Sequence, residues 1–243
     1  MNTVIGFIQQ FIEYLFEITR SFGLPSYAMA IIFLTVIVKV LLYPLMRKQM
    51  QSMANLSKIQ PEIAAVERKY GNNPAKKNEA LVKLYQKHNI NPMGGCLPLL
   101  IQLPIFVALY RALLNFVPAY PEFTSFFWIE NISLPDPSML YLPILVGLST
   151  FVQQKVMITN KNDNMQRVML YVMPIMLGGM AMQFPAGLCL YWITYSVIGA
   201  LQQIIVNYGS MGKAVNHMVG KEEEQAEEIS AQPKKKAKNN KEK

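Results

Sequence analysis

The chain has 243 residues, 52% of them hydrophobic, with 16 methionines and a formal charge of +8 at pH 7. That balance excludes an ordinary soluble domain and fits a small polytopic membrane protein. Two cysteines far apart in apolar surroundings (Cys96, Cys189) suggest no disulfide framework, and two histidines in polar segments (His88, His217) match no metal-ligand spacing.

Residues 1–24 are expected to form an amphipathic helix. Ile5, Ile8, Ile12, Leu15 and Thr19 fall on one face, with Phe11 and Phe16 beside it. The stretch lacks a basic n-region and carries Glu13 and Glu17, so it does not read as a signal peptide. Two placements fit it equally: flat on the outer membrane face, or packed on a bundle of spans.

Five spans are predicted, at about Tyr27–Met46, Leu97–Phe116, Met139–Met157, Val168–Gln183 and Leu188–Asn207. Each approaches the roughly 20 residues that a helix needs to cross the bilayer core, the fourth being short. Several contain proline, which membrane helices tolerate when neighbours satisfy the freed carbonyl.

Between the first two spans, residues 47–92 hold nine Lys and Arg. Met53, Leu56, Ile59, Ile63, Val66 and Tyr70 recur at spacings of three and four. Gly71-Asn72-Asn73-Pro74 then breaks the pattern, and Leu81, Leu84, Tyr85 and His88 resume it. Two antiparallel helices zipped along these stripes are expected. Their basic residues form either a solvated face or a docking surface for lipid head groups, ribosomal RNA or an acidic protein.

Loop charges give one topology. The 47–92 segment faces the cytoplasm, whereas the loop 117–138 has no Lys or Arg, carries Glu122, Glu130 and Asp136, and faces out. Lys161 and Arg167 place the next loop inside, and Phe184–Gly187 is an uncharged outer turn. The N-terminus is therefore expected outside and the C-terminus inside. The tail, 209–243, has too few apolar residues for a core and is expected to be disordered. Its cluster Lys234, Lys235, Lys236 and Lys238 is either a contact for phosphate backbone or a solubilising tail.

Lys39 stands out inside the first span. A lysine at this depth costs roughly 2.5–3.5 kcal/mol on insertion scales, and no Asp or Glu lies in any predicted span. It is seven residues from the end of its span, about 10 Å along the axis, farther than its stem comfortably snorkels. A wet cavity is the alternative. Thr35 lies one turn away, Gln102 and Gln153-Gln154 add polar groups in the second and third spans, and Tyr191, Trp192, Thr194 and Tyr195 add more in the fifth. Arg111, near the outer end of the second span, reads as an anchor. There is no catalytic motif and no pair of intramembrane carboxylates, so neither an enzyme nor a cofactor is expected.

Three motifs carry a resemblance. They are Thr35-Val-Ile-Val-Lys39-Val-Leu-Leu-Tyr43-Pro44-Leu45, Asn91-Pro-Met-Gly-Gly-Cys96-Leu-Pro-Leu-Leu-Ile-Gln102-Leu-Pro104-Ile-Phe106, and Phe184-Pro185-Ala-Gly187-Leu-Cys-Leu-Tyr191-Trp192. In this order and spacing the chain resembles the YidC-type membrane protein insertases (YidC/Oxa/Alb) from about Phe22 to Tyr208, in the minimal form with five core spans. The resemblance implies an all-α polytopic bundle, 25–208, with a cytoplasmic helical hairpin and a hydrophilic groove open to cytoplasm and lipid. It implies that a groove cation draws in the acidic tail of a nascent membrane protein without nucleotide hydrolysis. Lys39 falls at that position, where the family usually has arginine, and Thr35, Gln102, Trp192 and Tyr195 would line the groove. Nascent membrane proteins, the ribosome, membrane lipids and the Sec translocon are the partners it suggests, and a bacterial cell membrane the location. Two further readings of the residues are a small anion channel or transporter using Lys39 as its anion site, and an assembly factor whose groove only holds helices.

Overall fold

The structure is a computed structural model that describes residues 2–89, 97–138, 140–158 and 164–208. The lysine cluster of the tail, His217 and the Asn91–Cys96 part of the second motif lie outside them. Residues Met1–Ile204 form one unit and Ile205–Lys243 a second, whose described part is the final turn of the last helix. The elements in chain order are α1 (Asn2–Ser21), α2 (Tyr27–Lys58), α3 (Gln60–Tyr70), α4 (Pro74–Lys87), α5 (Leu97–Leu114), a short 3-10 turn (Pro121–Phe123), α6 (Tyr141–Met157), α7 (Asn164–Ala181) and α8 (Ala186–Tyr208). No strand occurs among the described residues.

A helix coincides with each predicted span. Two are long and apolar enough to cross a membrane by length and composition, Tyr27–Ser52 in α2 and Ala186–Tyr208. The helices α5, α6 and α7 have 18, 17 and 18 residues; at 1.5 Å per residue that is about 27 Å, just under the hydrocarbon thickness.

The amphipathic α1 packs on α2 and α5, burying Ile12, Leu15, Phe16 and Thr19. Gln9 Nε2 donates to the carbonyls of Ala112 and Asn115 at the end of α5. Glu13 accepts from the Tyr27 hydroxyl and the Ala119 N–H. These contacts favour the bundle-packed placement of α1. The helix ends where Gly23 takes φ +79° and the Leu24 N–H returns to the Thr19 carbonyl, a termination that suits glycine.

One boundary differs from expectation. The first arm of the hairpin is not a separate helix from about Met53: α2 runs on to Lys58, and the break falls at Ile59. Pro61 sits in the first turn of α3 and cannot supply the N–H that would continue α2. The stripes still meet. Leu56, Ile59, Ile63 and Leu84 form one cluster with Val66, Leu81 and Tyr85 against it. Asn73 caps α4 by accepting from the Lys76 N–H, and Glu62 receives Lys87 at 3.8 Å and His88 at 3.1 Å.

The helices α6 and α7 meet through glycine. A Cβ on Gly178 would stand 3.1 Å from the Pro143 carbonyl and 3.6 Å from the Gly147 Cα, so their backbones approach as small-residue crossings allow.

The loop 117–138 folds against the start of α8. The Ala186 N–H donates to the Leu134 carbonyl at 2.7 Å and the Gly187 N–H to the Ile132 carbonyl at 2.8 Å. A Cβ on Gly187 would lie 2.8 Å from Ile31 Cδ1 and 3.2 Å from the Ile132 carbonyl, which explains the glycine of the third motif. Ile31, Leu113, Ile132, Leu188 and Tyr191 are fully buried here, and the Phe16 and Tyr27 rings stack at 4.1 Å. The core thus fills the end of α2 and α8 opposite the hairpin.

Asp136 pins this loop to α6. Its carboxylate accepts the N–H groups of Ser138 and Leu142, and the Ser138 hydroxyl accepts those of Leu140 and Tyr141. Burial acts to raise the Asp136 carboxyl, but the hydrogen bonds outweigh it and hold it below the usual carboxylate range. The charged form is therefore favoured by folding, and its stabilisation is lost as pH falls through the lowered value. Asp136→Ala is expected to cost about 1–2 kcal/mol, read as a lower Tm of the purified protein at neutral pH. The gap to wild type should narrow in strong acid, and Asp136→Asn, which keeps an acceptor for Leu142, should lose less.

Candidate functional site

Lys39 is on α2, five residues beyond the last apolar core contact at Leu34, and is only 3% exposed. Its Nζ lies over the Tyr195 ring of α8, 3.4 Å from the centroid. An aromatic face attracts a cation through its ring quadrupole, an interaction worth about 2 kcal/mol when desolvated. One turn further along α8, Gly199 leaves a gap. A Cβ there would stand 2.9 Å from Lys39 Nζ and 2.5 Å from Gln153 Nε2. Aromatic face, glycine gap and a neighbouring amide make a seat for an ammonium, and Lys39 forms no ion pair among the described residues.

The seat opens into a partly open cavity between α2, α5, α6, α7 and α8. Six glutamines line it: Gln49, Gln102, Gln153, Gln154, Gln202 and Gln203. Five methionines, Met46, Met50, Met157, Met169 and Met173, form the rest of much of its wall. No carboxylate is among the described lining residues. The lining on α2 runs from Lys39 to Met50, toward the end of the helix that leads into the hairpin. Neutral amides hydrate such a space without neutralising the ammonium. Thioether side chains add apolar surface that can reshape around different contents.

Hydrogen bonds tie the walls together. Gln102 Nε2 donates to the Tyr191 hydroxyl at 3.0 Å, joining α5 to α8. Trp192 Nε1 donates to Thr150 Oγ1 at 2.9 Å, joining α8 to α6, while that threonine donates to the Val146 carbonyl. The Trp192 ring meets Phe106 edge-on at 5.5 Å. Gln154 Nε2 approaches Met173 Sδ at 3.5 Å, linking α6 to α7.

Of the residues that sequence reasoning placed in the groove, Lys39, Gln102, Trp192 and Tyr195 meet at this cavity. Thr35 does not line it. Its side chain is fully buried, and its hydroxyl donates to the Ile31 carbonyl of its own helix at 2.7 Å. Sequence reasoning missed Gln49, Thr150, Gly199 and the methionines as lining residues. Gln49 is ten residues beyond Lys39, outside the predicted span, so it was read as part of the hairpin.

Comparison with known proteins places the chain in a family. The family model described as "60Kd inner membrane protein" matches residues 18–213. A protein of Fusobacterium nucleatum named "Membrane protein insertase YidC" is 38% identical over 207 residues, covering 85% of this chain and 98% of the relative. One of the same name from Oceanobacillus iheyensis is 42% identical, with 77% of each chain covered. The Helicobacter pylori protein of that name is 38% identical, and the match spans 87% of this chain and 38% of the relative. A solved structure described as "Active YidC insertase crystal structure with the first transmembrane domain resolved" superimposes with a TM-score of 0.66 at 28% identity, over 85% of this chain and 46% of that one.

The seat makes a measurable prediction. Tyr195→Phe keeps the aromatic face and should leave the stability of the purified protein, read from its Tm, within about 0.5 kcal/mol of wild type. Tyr195→Leu leaves the ammonium against an alkyl chain and should cost about 2 kcal/mol. The double variant Lys39→Met, Tyr195→Leu should recover most of that loss, because the cation that needed the ring is gone.

Proposed function

We propose that this chain, which belongs to the 60Kd inner membrane protein family and is a membrane protein insertase of the YidC type, draws the acidic tail of a nascent membrane protein onto Lys39 and passes it across the bilayer without nucleotide hydrolysis. The observation that carries this reading is the buried Lys39 side chain at a partly open cavity with no carboxylate among its described lining residues. A permanent internal carboxylate would hold the cation. A ring face and neutral amides leave it available to an acid that arrives and departs.

The cavity shortens the apolar path that a hydrophilic tail must cross. Its glutamines supply hydrogen-bonding partners in place of water, and the exposed apolar flanks of α2 and α6, with Val40, Leu41, Ile144 and Leu148, offer the following hydrophobic segment a route to lipid. The packed end around Ile31, Ile132 and Tyr191 faces outward in this reading, with the N-terminus outside, the C-terminus and hairpin in the cytoplasm, and α1 at the outer interface. The charge asymmetry of the loops supports that orientation. The hairpin and the tail lysines Lys234, Lys235, Lys236 and Lys238 would meet the ribosome, lipid head groups or a Sec translocon. The relatives named above are insertases, which does not favour the anion-channel reading.

Depletion and rescue test the mechanism. Insertion of a single-span substrate with a short acidic tail should fail on depletion and return with the wild-type chain, read by protease protection of the tail. Lys39→Gln and Lys39→Glu should lower it by about tenfold or more, whereas Lys39→Arg should support it. Normal insertion by both Gln and Glu variants would refute the role of the charge. In a separate experiment, deleting Lys234 to Lys243 should weaken co-sedimentation with ribosomes and flatten its salt dependence; an unchanged profile would remove the tail from that role.

A further inference from the structure

Gln49 and Gln102 are 6% and 5% exposed, and both line the cavity. Neither Nε2 nor Oε1 of Gln49 has a hydrogen-bond partner among the described residues, and Oε1 of Gln102 lacks one too. Buried amide groups are normally paired, because leaving one unpaired forfeits its hydration with nothing in return. Three such atoms on two side chains that line one cavity are therefore informative about what the cavity receives. A carboxamide carries a donor and an acceptor side by side, the same pair that a peptide group presents. The partner that matches Gln49 is the backbone of a polypeptide, not a side chain of particular identity.

We propose that Gln49, with Gln102 on the α5 wall, is a docking site for the backbone of an extended polypeptide in transit through the cavity. This rests on the insertase reading and gives it a substrate chemistry. Lys39 selects by charge. Gln49 holds any tail by its peptide groups, as main-chain hydrogen bonding does in strand-type recognition. The spacing fixes a register. Gln49 is ten residues from Lys39 on one helix, about 15 Å along the axis. An extended chain covers that distance in four to five residues at about 3.3 Å each. The peptide group on Gln49 thus lies four or five residues from the acid drawn to Lys39.

The test uses the full-length protein in lipid vesicles and synthetic single-span substrates with an acidic or a neutral tail. Gln49→Met removes the amide and keeps the side chain's length. Translocation of both tails should fall by roughly two- to tenfold, the range expected for a lost hydrogen bond, while Lys39→Gln affects chiefly the acidic one. The Tm of Gln49→Met should equal or exceed that of wild type, since an unpaired buried amide is replaced by an apolar group. A single backbone N-methyl group four or five residues from the acid should slow the wild type to the same degree and add nothing in Gln49→Met. A lowered Tm would mark a structural glutamine, and additive losses would place the contact elsewhere; either overturns the proposal. A wild type that moves tails while Gln49→Met equals it overturns this proposal alone. A wild type that moves no tail overturns the insertase reading and the proposal with it.

Discussion

The contact between the Lys39 ammonium and the Tyr195 ring constrains everything around it. A cation that is 3% exposed needs compensation, and the described lining residues offer no anion. The compensation it has is weak and neutral, a π face at 3.4 Å, and Gly199 leaves the room that the ammonium and the Gln153 amide occupy. The ring and the glycine are on α8 and the amide on α6, so three helices meet at the cation. It also dictates what the neighbouring positions can be. A bulkier residue at 199 would meet the ammonium and the amide, and a carboxylate nearby would form the pair that this arrangement avoids.

The two ends of the bundle obey different packing rules, and that difference turns a cation site into a passage. Around Ile31, Leu113, Ile132 and Leu188 the side chains are fully buried, aromatic rings stack on one another, and backbone hydrogen bonds clamp the loop to α8. Interiors packed this way resist deformation. Toward the hairpin the same helices present glutamines and methionines around a partly open cavity. Long unbranched side chains change rotamer at little cost, so this end can accommodate contents of varied shape. The Gln102–Tyr191 and Trp192–Thr150 hydrogen bonds mark the boundary between the two regimes. They fix the position of the cavity's inner wall while its mouth stays adaptable.

Much of this was legible in the sequence because it depends on periodicity and on the location of charges. The apolar stretches marked the helices, the three-and-four stripe paired Ile63 with Leu84 through the hairpin cluster, and Lys39 announced a polar interior. What escaped depends on which way a side chain turns. Thr35 and Lys39 are one turn apart, yet the threonine hydroxyl satisfies itself on the Ile31 carbonyl and takes no part in the lining. Gly199 carries no signal of its own, because its role is the volume that it leaves to Lys39 and Gln153. Pro61 ended a helix that hydrophobic spacing alone would have continued. Gln49 lay past the apolar run that defined the span, although α2 continues without interruption and carries it to the cavity wall.

The seat also bears on why a lysine can stand where the resemblance leads one to expect arginine. A guanidinium is a planar fork that holds a carboxylate by two parallel hydrogen bonds, a geometry that favours a fixed partner. An ammonium is a compact charge with three rotatable donors. It fits between an aromatic face and a glycine backbone, and it can turn from the ring toward an incoming acid by rotation about its own stem. Attraction of that kind is strong in a space with few competing dipoles and imposes little orientation. For a site whose occupant has to leave, weak geometric demand is an advantage. In the proposed mechanism the tail is drawn by charge, held by contacts that do not read its sequence, and released without breaking a bidentate pair.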